Sequence, residues 1–390
     1  MPSLADRAAI VGAGHTRFGA LAEGPRELLR GCLDGAFASV DHGMERGEVR
    51  EAFLGTLGFS GWQLGNASAV LAEELGAPGV PVMRVENACA SAGYALRAAV
   101  HAIESGSCDV ACVVGLEKMT DAPSRRRRYW LGVSGDTEWE RLAGLTFAGV
   151  YALLAARHMA EFGTPREALA EVAVKNHRHA MHNPNAQFRK VITRDQVLAA
   201  PRVAEPLGLM DCCPVTDGAA ALLLARSSIA RRYTDTPVTI VGAGAGSDRL
   251  AVQERPSLTG LAASRRAAEE AFRRSPFERS ALSVVMVHDC FTIAELLALE
   301  DLGLARPGEA ATLTLEGATA LGGRLPVNPD GGLKAKGHPI GATGASQAYE
   351  AFQQLRGSAG ARQVPGAERA LSHNVGGSGA SATVTLYQRG

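Results

Sequence analysis

Short apolar runs alternate with amphipathic stretches along the whole chain. Runs at 8–11, 82–85, 110–114, 220–224, 238–241, 283–287, 370–371 and 382–386 have the length and composition of buried strands. Helical spacing fills the gaps between them. Ala92, Ala95, Leu96, Ala99 and Ile103 fall on one face of a helix over 92–104 that Gly106 stops. Thr164-Pro165-Arg166-Glu167 reads as a capping box with proline at the first helical position, opening a helix that ends near Asn183-Pro184. Further helices are expected over 293–302 and over the stretch carrying Ala345, Ala348, Tyr349, Phe352 and Leu355, which Gly357 stops. Strands alternating with helices in this way predict an α/β protein.

The pattern repeats. Ala9-Ile10-Val11-Gly12-Ala13-Gly14 returns as Thr239-Ile240-Val241-Gly242-Ala243-Gly244. In each half a later strand leads into a polar cluster and a helix: 82–85 into Glu86-Asn87-Ala88-Cys89, and 284–287 into His288-Asp289-Cys290. The chain therefore reads as two similar halves, 1–235 and 236–390, with an insertion over about 120–210 in the first. The glycine doublets at 12–14 and 242–244 follow strands, but Arg17 and Ser247 stand where G-x-G-x-x-G needs its last glycine, so no dinucleotide cofactor is expected.

Charge narrows the function classes. Forty basic and forty acidic residues balance to zero, without the basic excess of a nucleic-acid-binding protein. No apolar stretch reaches membrane-spanning length, and the N-terminus lacks the pattern of a secretory signal. Seven cysteines without regular spacing fit reduced thiols in the cytoplasm better than a disulfide framework. Cys108 and Cys112, or Cys212-Cys213, lack a second pair at zinc spacing, so no metal is expected. His177, His179 and His182 end a helix, where the dipole favours positive charge. The run Arg125–Arg128 suits a solvated face or the phosphates of a ligand. Glycine is abundant, 45 of 390 residues against an ordinary ~7%, and seven of these lie between Gly322 and Gly344.

Four strand ends carry reactive side chains. Cys89, among small neighbours at the start of a helix, sits where backbone amides favour thiolate over thiol, the logic of a nucleophile elbow. A buried structural cysteine is the plainer reading of that segment alone. His288 opens the helix over 293–302. His338 precedes a helix inside Gly337-His338-Pro339-Ile340-Gly341-Ala342-Thr343-Gly344, where the positive helix end disfavours imidazolium and leaves a neutral base. His373-Asn374-Val375-Gly376-Gly377-Ser378-Gly379 offers backbone amides to a ligand oxygen. One cysteine and three histidines at strand ends, where open α/β sheets place ligands, suggest a cysteine acyltransferase. Cys290 reads as a packing residue.

These motifs, with Asp211-Cys212-Cys213-Pro214-Val215-Thr216-Asp217-Gly218-Ala219, resemble the thiolase superfamily, in particular sterol-carrier-protein-type thiolases and acetyl-CoA acetyltransferase-like proteins. The resemblance implies duplicated βαβαβαββ halves in five α/β/α/β/α layers with an inserted loop domain. It implies that Cys89 carries the acyl group, that His338 activates it, and that His288 takes the place of an asparagine that positions an oxyanion-hole water. Cys89, Val375, His338 and His288 would form the oxyanion hole, and Gly341, Gly376 and Gly377 would line the substrate. Most thiolases have a second cysteine where this chain has His373, which leaves His373 as the candidate to abstract the α-proton. The resemblance further implies acyl-CoA as substrate with no separate cofactor, a homodimer or homotetramer, and for some members a separate zinc-ribbon/OB-fold protein that holds the acyl-CoA. A carbon acceptor not linked to CoA, a steroid side-chain retro-aldolase and a non-catalytic lipid carrier remain as alternatives. His288 and His338 stand where the aldolase relatives have tyrosines.

Overall fold

The strands expected from the sequence are present in the computed structural model, which describes residues 6–390. They are β1 (Ala8–His15), β2 (Glu51–Gly55), β3 (Val82–Val85), β4 (Val110–Glu117), a small hairpin of β5 (Arg202–Ala204) and β6 (Leu207–Gly208), β7 (Gly218–Arg226), β8 (Val238–Ser247), β9 (Val284–Met286), β10 (Arg369–Gly376) and β11 (Ser381–Arg389). All but the hairpin join one sheet in the order β3-β2-β4-β7-β1-β8-β11-β10-β9. Its two arms meet only where Ala9 and Ile10 pair with Thr239 and Val238.

The strands are apolar at consecutive positions because both faces are covered. Ala8 and Ile10 face one core and Ala9 and Val11 another; Val284 and Met286 likewise separate from Val285 and Val287. The shared inner core holds two helices, Ser91–Glu104 and Thr343–Arg356, between the two arms. Helices Pro25–Ala38 and Ala67–Glu74 cover one arm from outside, and Ala262–Arg273 and Thr292–Asp301 cover the other. The result is helix, sheet, helix, sheet, helix. The inner helices approach closely because Gly93 and Gly344 meet there: a Cβ on Gly344 would lie 2.8 Å from Gly93 Cα.

One equivalence differs from the sequence expectation. β2 lies between two parallel neighbours, β3 and β4. β9 lies between parallel β10 and a parallel bridge from Val285 to Val327. β9 therefore matches β2, and the Val327 segment matches β3. The loop counterpart of Cys89 is the one that carries His338, each entering an inner helix, while His288 follows the counterpart of β2. The confusion arose because β2 has only three apolar residues, Ala52-Phe53-Leu54, between Glu51 and Gly55.

Residues between β4 and β7 form the helices Ser124–Gly132, Phe147–Phe162, Arg166–Ala180 and Arg194–Leu198 together with the hairpin. A buried ion pair joins the two ends of this segment, Lys118 Nζ to Asp217 Oδ2 at 2.7 Å. Asp217 also accepts the Thr120 amide at 2.8 Å. The capping box expected at Thr164 does not form. The Thr164 hydroxyl instead meets His158 Nδ1 at 2.7 Å, and the helix starts after Pro165 without a side-chain cap.

Candidate active site

Cys89 follows β3 on a tight corner. Ala88 holds φ at +49°, a left-handed conformation that costs a non-glycine residue energy. The Ser91 side chain braces it, accepting the Asn87 amide at 3.0 Å and donating to Ala88 O at 2.6 Å. Burial pushes the Cys89 thiol up to about 12, against the Gly377 amide, which donates to the sulfur and pulls the other way. The resting group is a thiol, not the thiolate expected from its place at a helix start. Desolvation outweighs the few amide dipoles there, so the proton needs an acceptor.

His338 is built to be one. Gly337, at φ +119°, brings the chain against Thr216, whose Oγ1 accepts the His338 amide at 3.0 Å. His338 Nδ1 lies 2.7 Å from Thr343 Oγ1, and the Thr343 hydroxyl gives its single hydrogen to Pro339 O at 3.0 Å. Thr343 can then only accept from the ring, so Nδ1 carries the proton and Nε2 is bare. Burial, helped by the Lys336 charge, takes the imidazole down to about 3. The neutral base expected from the sequence is present, but burial is its main cause.

His288 stands edge-on to His338, with ring centroids 5.0 Å apart at 87°. The Cys89 sulfur and one ring nitrogen from each histidine all lie within 4.8 Å of one another. The structure thus brings together three of the four side chains singled out as catalytic. His373 is not with them. Along β10, Leu371 and Val375 face the outer core, and strand alternation turns His373 the same way. Its Nε2 meets Ser264 Oγ at 2.8 Å on the outer helix. Asn374 takes the inner face, accepting the Gly93 amide at 3.3 Å and donating to Cys89 O at 2.9 Å. Val375 pairs with Ala382 in the sheet, and the loop amide that reaches the Cys89 sulfur belongs to Gly377. Gly376 packs on the Cys89 corner, where a Cβ would lie 2.5 Å from Asn87 O, and Gly341 packs on Glu117, where it would lie 2.7 Å from Oε2.

Sequence reasoning passed over two neighbours, Tyr151 and Glu117, and read a third, Cys290, as a packing residue. The Cys290 carbonyl accepts the Cys213 amide at 2.9 Å, and its thiol is hydrogen-bonded to Tyr151 and close enough to Cys89 for that sulfur to oppose its ionisation. Tyr151 stacks on Phe291 at 4.6 Å. Glu117 accepts the Leu57 amide at 2.9 Å, and burial raises it to about 7. A cavity of about 610 Å³ beside Ser378 is lined by Leu131, Leu145, Phe147 and Ala148, with Arg125 and Arg128 also on its wall. The helix-end histidines are not dipole partners: His177 and His179 are buried at about 4 and about 3, held by Lys190 O and Asn328 O.

These buried rings set an acid limit on stability. His15, His179, His338 and His373 at about 3 and His177 at about 4 stay neutral in the fold, whereas unfolded histidines take up protons near 6.5. Below pH 6.5 the unfolded state binds more protons, and stability falls. Glu117, Asp289 and Asp301, raised to about 7, act oppositely between 7 and the ordinary carboxylate range, but fewer groups are involved. The thermal midpoint is expected to fall steadily from pH 6.5 to 5. A midpoint that rises over that range in a fluorescence-monitored melt would show that the carboxylates dominate.

Comparison with known proteins shows the family. Residues 8–228 match the family described as "Thiolase, N-terminal domain", and residues 244–389 match "Thiolase C-terminal domain-like". The chain is a member of the thiolase family. This thiolase is 42% identical over 383 residues to an acetyl-CoA acetyltransferase of Methanothermobacter thermautotrophicus, covering 98% of this chain and 99% of that protein. It is 37% identical to human sterol carrier protein 2, over 81% of this chain and 60% of that one. Among solved structures, an Ltp2-ChsH2(DUF35) aldolase superposes with TM-score 0.85 at 26% identity, over 98% of both chains. Human mitochondrial 3-ketoacyl-CoA thiolase, at TM-score 0.78 and 17% identity over all of both chains, shares the fold. No helix among the described residues is long and apolar enough to cross a membrane.

Proposed function

We propose that this thiolase is an acyl-CoA C-acyltransferase that forms or thiolytically cleaves a 3-oxoacyl-CoA through an acyl-cysteine at Cys89. The observation that carries this reading is the Cys89 sulfur within 4.8 Å of two histidine nitrogens, with His338 Nε2 bare. His338 takes the thiol proton, and the thiolate adds to the thioester carbon. The oxyanion is held by the amides of Cys89 and Gly377 and by His288. The adduct collapses as CoA leaves with the proton from His338. A carbanion made from a second acyl-CoA, or CoA thiolate in reverse, then attacks the acyl-cysteine and frees the Cys89 sulfur. Val375 serves by shaping the strand that leads to Gly377. The chain divides on this reading into halves 1–235 and 236–390, acts in the cytoplasm, and pairs with itself. The aldolase neighbour named with ChsH2(DUF35) supports a separate acyl-CoA-holding partner. Mass spectrometry of the Cys89 peptide after incubation with acetyl-CoA tests the central step. An acetyl adduct, absent in Cys89→Ala, is expected; an unmodified peptide across a panel of acyl-CoAs refutes it.

With His373 turned away, Cys290 is an acid–base group close enough to Cys89 to feel its charge. Burial holds its thiol well above the ordinary range, so it is a proton donor at rest, suited to returning a proton to the departing carbanion. Cys290→Ala is expected to leave acetylation of Cys89 intact while slowing condensation and thiolysis by about 10²- to 10⁴-fold, the usual contribution of one acid–base group. An equal loss in both steps would remove Cys290 from this role. Condensation that persists at the wild-type rate would favour an acceptor that needs no proton transfer here.

A further inference from the structure

The contacts of Asn374 decide which nitrogen of His288 carries the proton. The Gly93 amide can only donate and Cys89 O can only accept, so the Asn374 side chain has one orientation. Oδ1 faces Gly93 at 3.3 Å and Nδ2 faces Cys89 O at 2.9 Å. The second Nδ2 hydrogen points at His288 Nδ1, 3.1 Å away. That nitrogen must be bare to accept it. A neutral imidazole with bare Nδ1 carries its hydrogen on Nε2. His338 has the reverse arrangement, with Nδ1–H on Thr343 and Nε2 bare.

We propose that Asn374 is a positioning residue that fixes His288 as an Nε2–H donor, so that the two imidazoles beside Cys89 are one acceptor and one donor. A thiol and two imidazoles within 4.8 Å are the donor set of a zinc site. A metal needs a bare nitrogen from each ring. With Nδ1 of both rings engaged, Nε2 is the nitrogen left for a metal, and on His288 that atom holds a hydrogen. Asn374 thus keeps the three groups available to an acyl group and closed to a divalent cation. The donor role rests on the acyl-transfer reading above; the tautomer and the exclusion of metal do not.

Asn374→Asp separates these statements. A carboxylate in the same place only accepts, so it draws the His288 proton to Nδ1 and bares Nε2. The other titratable groups near His288 are Cys89 and His338, with His373 on the outer face of β10, and the charge of either histidine would oppose its protonation. In wild-type full-length protein, ¹⁵N-histidine NMR, assigned against His288→Gln, is expected to show a bare Nδ1 and a protonated Nε2 at His288. Asn374→Asp is expected to reverse that pattern. Zn²⁺ binding measured by calorimetry is expected to tighten at least tenfold in Asn374→Asp relative to wild type, and the gain is expected to vanish when His288→Gln is added. A protonated Nδ1 in wild type overturns the proposal without any variant. Unchanged zinc affinity in a folded Asn374→Asp overturns the exclusion. Failure of wild type to acylate Cys89 would refute the proposed function while leaving both of these readouts able to decide the present inference.

Discussion

Replacing His338 by alanine is expected to slow acylation of Cys89 by about 10²- to 10⁴-fold, with little change in KM for the acyl-CoA. The effect is large because the nucleophile is a half-buried, desolvated thiol. At about 12, its thiolate population at pH 7 is on the order of 10⁻⁵. His338 offers a bare Nε2 to the thiol proton, fixed by Thr343, and it remains neutral down to about 3. Wild-type acylation should therefore be nearly flat with pH above neutrality. In His338→Ala the thiol must ionise unaided, so the residual rate should climb about tenfold per pH unit from 7 to 10, following the thiolate population. The burst of CoA released on mixing with acetyl-CoA measures both. A residual rate that is flat with pH would mean that another group accepts the proton. Removing both Cys89 and His338 should cost no more than removing Cys89 alone, since the two act as a unit.

How much of this was legible beforehand differs by level. The strands were readable because burial on both faces makes them continuous apolar runs, and the inner helices because their alanines and leucines keep helical spacing. Cys89, His288 and His338 were readable because each stands at a strand end among small residues. The choice between His373 and Asn374 was open in principle. Adjacent strand residues face opposite sides, so only one of them can reach Cys89; histidine chemistry drew attention to the wrong one. Strand period alone does not say which face is inner, and that required knowing that Leu371 and Val375 pack against the outer helices. Tyr151 was hidden, and Cys290 was read as packing, for another reason. Their proximity to Cys89 comes from packing between segments 62 and 201 residues apart in sequence, to which local pattern is blind. The β3 equivalence was missed because its partner at Val327 makes only a single bridge, too little to leave an apolar run.

Gly344→Val is expected to cost the fold more than any surface change and to lower the thermal midpoint by about 3–4 °C. A Cβ at this position would lie 2.5 Å from Asn374 Oδ1 and 2.8 Å from Gly93 Cα, and closer still to the Gly93 nitrogen. Two of these three atoms are backbone of the facing inner helix, which cannot rotate aside as a side chain can. Relief requires the two helices to part, and they lie between both arms of the sheet with Ala92, Ala95, Ala345 and Ala348 fully buried around the crossing. Overpacking of a tight core typically costs about 1–3 kcal/mol, and a β-branched side chain against backbone belongs at the upper end. Gly47→Val is the control: its Cβ would meet nothing within 4 Å, so it should move stability by no more than about 0.5 kcal/mol. The same crossing holds Asn374 against Gly93 and Cys89, so a smaller intrusion should reach the site before it reaches the fold. Gly344→Ala is expected to fold with a reduced midpoint and to lose acylation rate out of proportion to that loss. A Gly344→Val protein that melts like wild type would show that the inner helices separate freely, and that their close approach does not fix the geometry around Cys89.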